Sequence, residues 1–220
     1  LGAGALFQPK YEGAKDYKVM PLPYGSVSYK DRVELNTRGL SVKVLEAGPL
    51  RFDARLGYEL GRDASDSPRL RGMGDVDFAA TVGGRVAYRF GGAEVFAEAA
   101  QALGGSEGLT GELGVSYQHQ LGDSWIFGVS ASGTLADDRY MRSYFGVSAA
   151  QSAASGLARH ETSGGLKSLQ AGVNATYLFG GGWFLRGEAG LSALMSDAAD
   201  SPVVERRTTP TGLLMLGYRF

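Results

Sequence analysis

Side chains able to do chemistry gather at few places in this chain. His160 stands between Arg159 and Glu161, and an imidazole joined by a carboxylate from another loop would form the acid/histidine pair of a hydrolytic site. Nothing in the sequence fixes that partner. The adjacent Asp137 and Asp138 could be read as paired carboxylates or calcium ligands, but they lack the ligand spacing of a calcium loop and suit a solvated strand end. With no cysteine and only two histidines, neither a disulfide framework nor a thiolate metal site is available, and no cofactor is expected. The richest cluster is Arg139, Tyr140, Arg142, Tyr144 and Phe145, in which guanidinium and aromatic groups together suit stacking and anion contacts. The competing reading folds these rings inward as a plug, held by Asp75, Asp77 or Asp197 from neighbouring loops.

The elements that would carry these residues read as strands. Leu50, Phe52, Ala54, Leu56, Tyr58 and Leu60 occupy one face, with Arg51, Asp53, Arg55 and Glu59 on the other, the period of an extended strand. Similar alternation covers Phe78–Phe90, Glu94–Leu103, Leu109–Leu121, Trp125–Ala131, Leu169–Phe179 and Trp183–Leu191. Val19 to Tyr29 reads as one strand, with Pro21 and Pro23 near an end or a bulge because each removes a ladder donor. The apolar set then moves from odd positions (Val33, Leu35) to even ones (Leu40, Val42, Val44). A turn at Arg38-Gly39 accounts for that switch better than a bulge.

Short turns, Gly91-Gly92, Gly122-Asp123 and Gly180 to Gly182, alternate with long polar loops. That alternation and a wall apolar on one side only are features of transmembrane barrels. Phe90, Trp125, Phe179 and Trp183 flank the short turns, and Phe220 joins them as an aromatic girdle. His119 falls on the lipid-facing register beside one of these turns. No run approaches the roughly 18 apolar residues of a membrane helix, while 34 glycines, 11 tyrosines and 10 phenylalanines suit short strands, tight turns and girdles. The fold class expected is all-β, an antiparallel up-and-down transmembrane β-barrel of twelve strands, with ten as the alternative. Residues 1–220 would form a single domain with a long external loop at 136–167, whose Ser148 to Ser155 stretch could form a short helix capped by Ser148. A soluble barrel with its apolar face inside would leave the girdle unexplained.

The inward face would carry Arg51, Arg55, Arg85, Arg89, Arg186 and Arg219 against Asp53, Glu59, Glu94, Glu98, Glu112 and Glu188. So even a set suggests cross-strand pairs filling the lumen rather than a filter for one ion. Twenty-two basic residues against 23 acidic ones give no basic field for a nucleic-acid partner. The final strand, with Leu214, Leu216, Tyr218 and Phe220 on one face, resembles the C-terminal signature of bacterial outer-membrane barrels. Tyr218 and Phe220 would then be the assembly signal read by the barrel-assembly machinery, with outer-membrane lipid as the surrounding medium.

Several loop segments resemble those of the MipA/OmpV family, the MltA-interacting proteins. They are Tyr11-Glu12-Gly13 with Leu22-Pro23, the run Arg69 to Asp77, Asp137 to Met141 through Tyr144 to Ser148, Gly165-Leu166-Lys167, and Asp197 to Glu205. They fall in family order along nearly the whole chain. The resemblance implies an outer-membrane protein of a Gram-negative bacterium; an even strand count, traced back from Phe220 on the side of the short turns, would put both termini in the periplasm. The resemblance also implies a non-enzymatic scaffold that brings a lytic transglycosylase and a peptidoglycan synthase together, and it supplies no catalytic residues. The alternative function is a small-solute pore or ligand-binding channel.

Overall fold

The computed structural model describes residues 1–220. The chain runs through β1 (Gly2–Pro9), β2 (Tyr17–Tyr24), β3 (Ser26–Tyr29), β4 (Val33–Asn36), β5 (Gly39–Ala47), β6 (Leu50–Glu59), β7 (Ala79–Phe90), β8 (Ala93–Leu103), β9 (Leu109–Leu121), β10 (Trp125–Ala136), β11 (Gly165–Leu178), β12 (Trp183–Leu194) and β13 (Thr208–Tyr218). Three short helices lie in the long loops: α1 (Asp138–Phe145), α2 (Ala149–Ser155) and α3 (Ser196–Asp200).

All pairs of neighbouring strands are antiparallel, in the order β2-β1-β13-β12-β11-β10-β9-β8-β7-β6-β5-β4-β3. The two ends of that sheet, β2 and β3, are joined through the single residue Gly25, so the ring closes on itself. Counting β2 and β3 as one bent strand, the thirteen segments make the twelve strands that alternation and turns predict. What the sequence did not indicate is the break at Gly25. The first half of this strand pairs with β1 (Ala5↔Pro21, Ala3↔Pro23) and the second with β4 (Val27↔Leu35). The other edge of β2 has no strand beside it, and this explains its two prolines, which are tolerated where no ladder donor is required.

The turn before β5 is where the apolar register predicts it, between Asn36 and Gly39. A bulge at Val44 follows, because Lys43 pairs with Asp53 but Leu45 pairs with Phe52. Both Val44 and Leu45 consequently face outward. Lys30 and Asp31, with φ of 49° and 50°, are the central residues of the turn between β3 and β4, a backbone that matches the twist of paired strands. The Arg32 amide closes this turn on the Tyr29 carbonyl at 3.0 Å.

Outside the ring, side chains such as Leu56, Val82, Leu113, Val129, Val173, Leu191 and Leu214 are exposed, which is what an apolar wall in lipid requires. Only 33 of 220 residues are buried, and most apolar ones among them belong to loops. One cluster joins Val76, Tyr140, Met141, Tyr144, Phe145 and Ala198, and a second joins Tyr11, Ala14, Leu70, Met73, Val147 and Val203. The packed core is therefore a cap over one mouth of the barrel. Both chain ends lie at the opposite mouth, where the Leu1 amino group donates to the Tyr218 carbonyl at 2.9 Å.

Candidate functional site: the lumen and its cap

The cap begins with α1. Asp137 accepts a hydrogen bond from the Tyr140 amide at 2.9 Å, so the first residue of the acidic pair is a helix N-cap, and Asp138 accepts from the Gly164 amide. From α1, Tyr140, Met141, Tyr144 and Phe145 turn inward, while Arg139 and Arg142 stay exposed. The five residues expected to act together are thus divided between two surfaces. Arg139 lies 3.8 Å from Glu107, and Arg142 lines a cavity of about 560 Å³ on the outer side of the cap with Arg159 and His160. The predicted helix after Ser148 is α2, closed by a reciprocal pair of hydrogen bonds between Ser148 and Gln151.

The aromatic rings are not held by Asp75, Asp77 or Asp197 as expected. Asp75 accepts from the Ala64 amide, and Asp197 accepts from the amide and hydroxyl of Ser163. Basic side chains and a glycine hold them instead. Lys167 donates to Glu12 at 2.6 Å and stands 3.4 Å from the Tyr140 hydroxyl; Arg62 donates to the Tyr144 carbonyl at 2.6 Å. Gly108 lies so close to α1 that a Cβ there would meet the Tyr140 Cβ at 2.6 Å. Burial, reinforced by Glu12, raises the Tyr140 phenol well above its ordinary value, and burial with Glu59 raises that of Tyr144. Both rings stay neutral hydrogen-bonding groups.

His160 does not form an acid/histidine pair. Its Nε2 lies 2.8 Å from the backbone carbonyl of Asp197, and the carboxylate of that residue is taken by Ser163. His119 stacks on Tyr117 on the outer wall, at a centroid separation of 6.4 Å.

Below the cap, the lumen holds three cavities of about 770, 580 and 390 Å³. Cross-strand ion pairs line it as expected: Arg55 with Glu98, Arg85 with Glu94 and Glu98, and Arg89 with Glu94. Two pairs run along one strand instead, Arg51 with Asp53 and Arg186 with Glu188, because residues two apart share a face. Glu59 takes the Ser106 hydroxyl at 2.9 Å, while Glu112 and Arg219 line cavities without an ion pair. The inward face also carries Phe96, whose ring lies 3.7 Å from the Arg85 guanidinium carbon and covers Gly114. Alternation places Phe96 beside Glu94 and Glu98, and that was the available signal. Arg38, read in the sequence only as a turn residue, lines all three cavities.

Tyr218 packs edge-on between Trp183 and Phe220, with centroids at 5.1 and 4.9 Å. These rings form part of the girdle at the mouth that holds both termini.

The sequence family described as MltA-interacting protein MipA matches residues 1–220. The chain belongs to the MipA family. A protein of Escherichia coli K12 named YiaT, assigned provisionally to the outer membrane, is 28% identical over 231 residues, covering 100% of this chain and 90% of that protein. Its counterpart in E. coli O157:H7 matches to the same extent. Among solved structures, the NanC porin covers 100% of both chains with a TM-score of 0.57 at 4% identity. That likeness concerns the fold alone, a closed antiparallel β-barrel, which this MipA-family chain shares.

Proposed function

We propose that this MipA-family barrel is a channel for small polar solutes in the outer membrane, closed on its loop side by the folded cap. Its loops face outward and both termini face the periplasm, the usual arrangement of short turns and long loops in such barrels. The observation that carries the reading is a run of adjoining cavities along the lumen. The cavity of about 580 Å³ at the terminal end shares Arg38 and Glu188 with the one beneath the cap, and Asn36, Arg38 and Arg55 with the third. A lumen meant only to support the wall needs no such run of cavities. A porin with the same fold supports the reading. Tyr140, Tyr144 and Phe145 act as the plug, Arg139 and Arg142 serve its outer surface, and Tyr218 with Phe220 serves assembly. No residue is assigned a catalytic role.

Planar-bilayer recording tests the channel. The intact protein should open rarely, and replacement of Ser143 to Gly165 by a short Gly-Ser linker should give steady openings from a barrel that still shows heat-modifiable migration. A folded, shortened barrel without conductance would overturn the reading.

The family's description names MltA as a partner, and we propose as a second function a scaffold that holds such a lytic transglycosylase together with a peptidoglycan synthase. Such partners would reach only short turns at the terminal end. Binding of the purified enzymes to the protein in nanodiscs, compared with empty nanodiscs, tests this directly.

A further inference from the structure

The half of the lumen nearest the termini brings large apolar side chains and charged ones around one space. Its cavity of about 580 Å³ is lined by Leu22, Ile126, Leu178, Phe184, Leu213 and Met215. They share the space with six charged residues, Glu34, Arg38, Arg55, Arg186, Glu188 and Arg219, and with neutral ones. A passage for strongly hydrated ions gains nothing from such a surface, whereas a binding pocket combines apolar walls with a few convergent polar groups.

The charges around this cavity are unevenly satisfied. Arg55 is engaged by Glu98, and Arg186 and Glu188 engage each other. Glu34 accepts on Oε1 from the Asn36 side-chain amide at 2.8 Å and from the Ser26 hydroxyl at 3.3 Å, neutral donors both, and these turn it toward β3 and its own strand. Glu112 lines the other two cavities and not this one. Two lining guanidinium groups make no ion pair: Arg219 at the mouth, and Arg38 at the junction of all three cavities.

Arg38 is held in place by its backbone. Its amide donates to the Asn36 side-chain oxygen at 2.8 Å, and Tyr58 donates to the preceding Thr37 carbonyl at 2.6 Å. Gly39, with φ of +123°, lies so close to β6 that a Cβ would meet the Leu56 carbonyl oxygen at 2.1 Å. The turn is therefore pinned against the wall while its guanidinium remains available to the lumen.

We infer that this chamber binds small carboxylates with an apolar body, the carboxylate on the Arg38 guanidinium and the body against the ring of Leu22, Ile126, Phe184 and Met215. A guanidinium can donate two parallel hydrogen bonds to a carboxylate, and an aromatic or short aliphatic tail gains by leaving water. The inference deepens the channel reading and rests on it for its biological sense, but binding itself requires no conduction.

The test is calorimetry on the protein in nanodiscs, with empty nanodiscs subtracted, using sodium benzoate, sodium hexanoate, sodium acetate and benzyl alcohol. Benzoate and hexanoate should bind at least about tenfold more tightly than acetate, which lacks the body, and than benzyl alcohol, which lacks the charge. Arg38→Gln should weaken benzoate at least about tenfold, Arg38→Lys should retain part of the affinity, and Arg219→Gln should change it little. All variants should keep heat-modifiable migration. Equal binding of benzoate and benzyl alcohol, or unchanged benzoate affinity in folded Arg38→Gln, would overturn the site. Binding without any channel openings would sink the channel reading and leave the site standing; openings without benzoate binding would do the reverse.

Discussion

The Lys167 ammonium donates to the Glu12 carboxylate at 2.6 Å across 155 residues of sequence, and this contact ties the first loop to the start of β11 directly beneath the Tyr140 ring. Lys167→Met should leave Glu12 and the Tyr140 hydroxyl without their shared donor, at about 1–3 kcal/mol. The cost should fall on the cap rather than the wall. Limited proteolysis should cut within 136–167 sooner, while heat-modifiable migration stays normal. An unchanged cleavage rate would mean the contact does not hold the cap.

Gly108→Leu should lift α1 from the barrel mouth, because the added side chain would start 2.6 Å from the Tyr140 Cβ. Channel openings in planar bilayers should become more frequent. Gly187→Ala is the control, since nothing lies within 4 Å of a Cβ there, and its effect should stay within about 0.5 kcal/mol. If the two variants conduct alike, Gly108 does not set the position of the helix.

Acid should loosen the cap through Glu205 and Asp197. Burial works to raise the Glu205 carboxyl, but hydrogen bonds from Lys15 and Tyr11 leave it below its ordinary value of 4.5. Hydrogen bonds from the amide and hydroxyl of Ser163 hold Asp197 below 3.8. A depressed carboxyl stabilises the folded state fully above its ordinary value, and that contribution disappears as pH falls through the lower folded value. Cleavage of the cap by an acid-active protease should therefore accelerate below about pH 4.5 in the wild type. In Glu205→Gln the acceleration should be smaller, and an identical profile would count against this carboxylate.

The wall has its own test at adjacent residues. Val173 is 56% exposed on the outer face, so Val173→Arg should cost about 2–4 kcal/mol near the bilayer midplane. Asn174→Arg, on the lumen face, should cost much less. Comparable losses in a folding titration into lipid vesicles would mean that the assigned faces are wrong.

The sequence by itself determined the wall. Alternation in Leu50–Leu60 and Leu169–Phe179 has a period of two because lipid acts on one side of a strand and lumen water on the other, a constraint each residue meets locally. The glycine turns, the switch at Arg38-Gly39, the helix cap at Ser148 and the family segments were legible for the same reason: their signals lie within a few residues. Tertiary structure decided the remainder. That Tyr140, Tyr144 and Phe145 go inward while Arg139 and Arg142 stay outside depends on Lys167, Arg62 and Gly108, which are remote in the chain and carry no shared period. That His160 meets the carbonyl of Asp197, and not its carboxylate, depends on how two loops dock. The division of one strand at Gly25 follows from closing the ring, and the exposure of Arg38 to all three cavities follows from where that closure leaves a two-residue turn. Local solvent contrast writes a pattern into sequence; contacts made only when distant loops and strands meet do not.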